Sequence, residues 1–154
     1  PFLPEAVFNE YGIKRYDSID KLLAEADFIS LHMPLTPQST GIINAKTLAL
    51  MKPTAYLVNT SRGALIDEAA LYEALKEGQI AGAGLDVLCV EPFKGACKLA
   101  KLSNVIITPH AAWNSVEALP ELRSRVALEI RRYLSNEKPI NIINKKVLEK
   151  FNFC

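Results

Sequence analysis

The chain lacks most of the features that would place it at a glance. No basic run is longer than a pair, and 18 Lys and Arg stand against 17 Asp and Glu, a formal net charge of +1. That balance argues against a nucleic-acid binder working through bulk charge and against a polybasic membrane anchor. No apolar stretch approaches the ~20 residues of a membrane-spanning helix, and the expectation is of no charged-then-apolar leader. Cysteine is scarce: Cys89, Cys97 and Cys154 are an odd number without CxxC spacing. Free thiols in a reducing cytosol are expected, not a disulfide framework or a zinc site. No GxGxxG occurs, and Gly82 and Gly84 of AGAGLD precede a strand end instead of linking a strand to a helix. They are not read as a phosphate loop. There is no internal repeat and no low-complexity segment. What remains is a soluble, cytoplasmic globular protein, with 154 residues to build one core.

What the sequence does have is an alternation of helical patterns and short apolar runs. Helices are expected over 4–13 with Pro4 in the first turn and Gly12 at the end, over 18–26 behind Ser18 or Asp17, over 44–51 behind Asn44, and over 67–78 between Asp67 and Gly78. Strands are expected within 26–34, 55–60, 81–87 and 104–110. These runs are rich in Val, Ile and Leu without clean alternation, which suits a parallel sheet covered on both faces. The order predicts a doubly wound α/β sheet. Segment 115–136 predicts a packed amphipathic helix, with Leu119, Leu122, Val126, Ile130 and Tyr133 on one stripe and a kink or restart at Pro120.

In such sheets ligands sit beyond the carboxyl ends of the strands, and polar residues gather there. VNTSRGALID puts Arg62 where a buried strand stops. An arginine there is either a solvated charge or a planar fork for a carboxylate or phosphate. His110, at the end of VIITPH, is either a half-buried ring satisfied by a carbonyl or a general acid/base. His32 fits a binding-site wall or a structural role better. Glu91, before Pro92, reads alone as a solvated carboxylate, but beside a histidine it would hold the ring and fix its tautomer. Asp86 closes an apolar strand, where a carboxylate needs donors from backbone N–H groups or a ligand amide.

The blocks LHMPLTPQSTGIIN, LVNTSRGALIDEAALYEALKEGQIAGAGLDVLCVEP and NVIITPHAAW, in that order, resemble the D-isomer-specific 2-hydroxyacid dehydrogenases from Pro1 to about residue 135. HAAW and the helix after it look closest to the C-terminal-binding-protein branch, with glycerate and phosphoglycerate dehydrogenases as near alternatives. The resemblance implies NAD as cofactor and a small 2-oxo or 2-hydroxy acid as substrate. It implies that Arg62 grips the substrate carboxylate, that His110 is the acid/base and that Glu91 is its partner. Asp86 would receive the nicotinamide carboxamide. His32, Met33, Pro34, Thr60, Ser61, Arg62 and His110 would line the cofactor, with Trp113 beside the nicotinamide pocket.

One departure shapes the expected architecture. Family members carry a GxGxxG strand–turn–helix and then an acidic residue immediately before the proline that matches the start of PFLPE. The chain is therefore expected to be the C-terminal half of a longer enzyme. Its Rossmann-like sheet would lack the first strand and glycine-rich loop, with 1–134 in the NAD-binding domain and 135–154 returning toward a substrate domain. NAD over NADP is then only the family default. Such a piece is expected to leave a strand edge and apolar faces uncovered, to associate with itself or its missing half, and to be inactive alone. A homodimer is expected of the complete protein. The alternative function is an NADH-sensing, partner-binding protein with little turnover.

Overall fold

A computed structural model describes residues 4–92 and 97–150; Cys154 and the first three residues lie outside them. The chain divides into two compact units, Pro1–Ala111 and Ala112–Cys154.

The first unit is built on four parallel strands, β1 (Phe28–Leu31), β2 (Tyr56–Asn59), β3 (Gly82–Leu85) and β4 (Val105–Ile107), in the order β1-β2-β3-β4. The register sets Leu31, Asn59, Leu85 and Ile107 in one row across the sheet. All four strands therefore release their chains at one edge, and the residues that follow are brought side by side. The expected strands are all present.

Helices α1 (Glu5–Glu10), α2 (Ile19–Glu25), α3 (Ala45–Leu48) and α4 (Glu68–Lys76) form where their capping residues stand. Ser18 accepts from the Asp20 N–H, and Asp67 accepts from the N–H groups of Ala69 and Ala70. Asn44 and Thr47 exchange side-chain and backbone bonds in a capping box. Pro4 caps α1 from outside its first turn, and Gly12 follows with φ 62°. The third helix is a single turn instead of a run to residue 51. Past it the bonding pattern changes: the Leu50 and Met51 N–H groups donate three residues back, to the Thr47 and Leu48 carbonyls, instead of four.

The core lies against one face of the sheet. Ile29, Leu31, Leu57, Ala83 and Leu85 pack there with Leu23 of α2, Leu48 of α3 and Leu71, Ala74 and Leu75 of α4. Residues of the opposite face are open: Phe28 is 76% exposed and Ile106 71%, and the Phe28 and Tyr56 rings stack on one another at 5.8 Å. Burial thus alternates along β1 and β2, where cover on both faces was expected. The open face agrees with the expectation of an incomplete sheet.

In the second unit α5 (Ala118–Leu134) begins two residues before Pro120 and is unbroken beyond it. Of the expected kink or restart, a helix start beside Pro120 is what forms: Pro120 stands in the first turn, where a missing N–H breaks no intrahelical bond. The chain beyond α5 turns back on it: the Glu129 carboxylate accepts from the Ile140 N–H at 2.9 Å and from the Asn141 amide at 3.0 Å. No residue of α5 is buried, so the stripe of Leu122, Val126, Ile130 and Tyr133 is exposed, not packed. No helix among the described residues is long and apolar enough to cross a membrane.

Candidate active site

Two openings lie along the edge where the strands end. The first follows β1 and β2 and is an open depression of about 530 Å³ lined by His32, Met33, Pro34, Leu35, Thr60, Ser61 and Arg62. Six residues expected to line a cofactor are thereby brought together. Asn59 shapes the loop, fully buried at the last position of β2. Its Oδ1 accepts from the Ser61 N–H at 3.0 Å and its Nδ2 donates to the Arg62 carbonyl at 2.9 Å. A buried amide with both ends satisfied is rigid. The Ser61 hydroxyl donates to the Leu31 carbonyl at 2.7 Å, tying this loop to the end of β1. Arg62 is exposed and one guanidinium N–H donates to the Ser61 carbonyl at 2.6 Å. His32 shares a 2.7 Å hydrogen bond with the Ser30 hydroxyl.

The second opening follows β3 and β4. It is a largely apolar cavity of about 500 Å³, lined by Leu88, Pro92, Ala100, Ile107 and Pro109, with Glu91 and His110 among its walls. Glu91 Oε2 meets His110 Nδ1 at 2.7 Å, and Glu91 Oε1 accepts from the Leu88 N–H at 2.9 Å. The bond from His110, and then the one from Leu88, holds the Glu91 carboxyl below its ordinary pKa. Glu91 on Nδ1 fixes the orientation of the imidazole ring.

His110 sits in left-handed backbone, φ 52°. A non-glycine residue there costs on the order of 1–3 kcal/mol and persists only where its surroundings hold it. They do: its N–H donates to the carbonyls of Asp86 and Thr108 at 2.9 and 3.0 Å. Asp86 is 5% exposed. Its Oδ1 accepts from the Thr108 hydroxyl and from the Ala111 N–H. These bonds answer the desolvation of a buried carboxylate. Asp86 is therefore a buttress of the His110 turn as well as a candidate contact.

The two openings are joined beneath. Gly63, next to Arg62, packs so closely on the loop after β3 that a Cβ would stand 2.0 Å from the Leu88 carbonyl carbon and 2.4 Å from the Cys89 nitrogen. Glu68, opening α4, accepts from the Cys89 N–H at 2.6 Å. Cys89 is exposed as a residue, but its sulfur turns to the Ile66 carbonyl at 3.8 Å. Burial, with the Glu68 carboxylate adding, pushes its thiol up to about 11. Trp113 belongs to the second unit and is exposed.

Asn59, Gly63, Glu68 and Thr108 carry the site's architecture, and of these only Asn59 stood out in the sequence, as one of the polar residues at the strand ends. Asn59 had a signal, a polar residue ending an apolar strand; the others act through contacts far along the chain. The donor set suits one part of a dinucleotide. Hydroxyls, a guanidinium and the buried, bonded Asp86 surround the strand ends, where a nicotinamide and its ribose could be held. No described residue supplies a glycine-rich turn for the pyrophosphate. Among the described residues no cluster of His, Cys, Asp or Glu could hold a metal ion.

Residues 2–112 match the sequence model of the D-isomer specific 2-hydroxyacid dehydrogenase NAD-binding domain. The chain is 46% identical over 141 residues to a glyoxylate reductase of Korarchaeum cryptofilum, covering 92% of this chain and 42% of that protein. It is 46% identical over 144 residues to a D-3-phosphoglycerate dehydrogenase of Methanocaldococcus jannaschii, covering 94% of this chain and 27% of that one. Among solved structures, the NAD-complexed D-isomer specific 2-hydroxyacid dehydrogenase of Lactobacillus delbrueckii ssp. bulgaricus superposes with a TM-score of 0.84 at 34% identity, over 94% of this chain and 47% of that one. The chain thus spans less than half the length of the relatives it matches. These relatives are named for small hydroxy-acid chemistry, and the narrower likeness to the C-terminal-binding-protein branch gains nothing from them. The chain belongs to the D-isomer specific 2-hydroxyacid dehydrogenase family, and carries sequence of its NAD-binding domain.

Proposed function

We propose that the protein containing this chain is an NAD-dependent dehydrogenase that interconverts a small 2-oxo acid and its D-2-hydroxy acid. The observation that carries this reading is the Glu91–His110 pair, 2.7 Å apart at the strand-end edge of a domain of this family. Bound NAD supplies the hydride chemistry. His110 holds a proton at Nε2 for the substrate carbonyl oxygen, and takes one from the hydroxyl in the reverse direction. Glu91 fixes the ring so that Nε2 faces the substrate. Arg62 holds the substrate carboxylate in its planar fork. His32, Met33, Pro34, Thr60 and Ser61 line the cofactor beside Arg62, and Asp86 orients the nicotinamide carboxamide while it supports the His110 turn.

A substrate of the size of glyoxylate or glycerate suits the names of the relatives. Residues 1–134 are assigned to the NAD-binding domain and 135–154 to the return toward a substrate domain. The exposed stripe of α5 supports a homodimer in the complete protein. The free thiols Cys89 and Cys97 suit a cytoplasmic protein. The test is NADH oxidation by the full-length protein with glyoxylate or hydroxypyruvate. Turnover that yields the D-hydroxy acid supports the proposal; tight NADH binding with no turnover on any short 2-oxo acid contradicts it.

A further inference from the structure

Glu91 can hold His110 only if the loop after β3 is itself held, and that loop begins at Leu88 and Cys89. Leu88 gives its N–H to Glu91 Oε1 at 2.9 Å, and Cys89 gives its N–H to Glu68 Oε1 at 2.6 Å. These are consecutive peptide groups, so fixing the second orients the first. Gly63 presses on the same peptide from the Arg62 side, with no room for a Cβ. Glu68 starts α4, whose Leu71, Ala74 and Leu75 are anchored in the core. Its carboxylate therefore speaks for the frame of the domain, not for a mobile surface.

We propose that Glu68 is a positioning residue: by gripping the Cys89 N–H from α4, it aims the Leu88 N–H at Glu91 and so sets the Glu91–His110 pair against the Arg62 loop. The bearing of this on turnover rests on the dehydrogenase reading, but the positioning does not. It extends the site to a carboxylate that touches neither substrate nor cofactor.

Glu68 has two possible effects on Glu91, and they differ in sign. As a nearby negative charge it would raise the Glu91 pKa, so removing it would lower the midpoint. As a positioning group it keeps the Leu88 bond and the His110 bond in place, and losing it raises the midpoint.

The test is a carboxyl-carbon NMR titration of Glu91 in the 154-residue chain, comparing wild type with Glu68→Ala, Glu68→Gln and Glu68→Asp. Gln keeps an acceptor at the right reach without the charge, whereas Asp keeps the charge one methylene short. The expected result is a Glu91 midpoint raised by about half a pH unit or more in Ala and Asp, and kept or lowered in Gln. A midpoint that is unmoved or lowered in Ala, or one held by Asp and raised by Gln, overturns the proposal. If Ala fails to fold, the contrast between Gln and Asp decides alone. No turnover is read, so failure of the dehydrogenase reading would leave this result standing. Conversely, an unmoved Glu91 would end the positioning role even in a full-length protein that reduces glyoxylate.

Discussion

Arg62 and Glu91 are both exposed, yet each is directed by bonds that a solvated surface charge would not make. One guanidinium N–H of Arg62 is fixed on the Ser61 carbonyl, and the loop around it is stapled by Asn59. Replacing Arg62 by Lys keeps the charge and loses the fork. In the complete protein kcat/KM for a 2-oxo acid should fall at least about tenfold, mostly through KM. Steady-state kinetics checks this, and a change within about threefold would remove Arg62 from substrate binding. Glu91 has a depressed pKa when folded. Its contribution to stability is therefore complete above the ordinary glutamate value and is lost as pH falls through the lower, folded value. Urea midpoints should thus show Glu91→Gln weaker than wild type at pH 7, with the gap closing under acid conditions. Cys89 gives a third expectation. A thiol moved from 9.0 to about 11 carries about a hundredfold less thiolate at pH 8. Iodoacetamide labelling followed by mass spectrometry should find Cys89 slower than an ordinary cysteine by that order.

At the scale of elements, much of the fold was legible because the signals are local. Ser18, Asn44 and Asp67 announce helices that form directly behind them, and four apolar runs became four strands. Asp67→Ala should cost about 1 kcal/mol by chemical denaturation, the usual worth of such a cap. The length of α3 was misjudged because the switch of Leu50 and Met51 to bonds three residues back leaves no mark in the sequence, and the weight of Pro120 depends on its place in the first turn of α5. Asp86 was singled out as a buried carboxylate in need of donors, but the donors, Thr108 and Ala111, could not be named from the chain. Nor could the meeting of the Arg62 loop with the Leu88–Cys89 peptide, because the residues are about 25 apart and meet only through the sheet register. Gly63 is the sharpest case. It reads as an ordinary loop glycine, yet Gly63→Ala must push one site loop off the other. It should cost about 1–3 kcal/mol or more in thermal or urea unfolding.

For the whole molecule, what decides behaviour is how much apolar surface remains open. Burial could not be read from runs of Val, Ile and Leu, since they look alike whether one face or both are covered. In the fold, Phe28, Tyr56 and Ile106 share an exposed sheet face, and α5 exposes its own stripe. The chain should self-associate as its concentration rises, and Phe28→Lys with Ile106→Lys should reduce the mass measured by light scattering. On the proposed reading, Arg62, Glu91 and His110 act on one substrate in the full-length protein. The most direct measurement is the kcat of full-length His110→Gln for NADH-dependent glyoxylate reduction, with NADH affinity measured alongside. A loss of about 10²–10⁴-fold in kcat with NADH binding retained is the predicted result for a missing general acid. Turnover within about threefold of wild type would contradict it, and would leave the Glu91–His110 pair a structural contact.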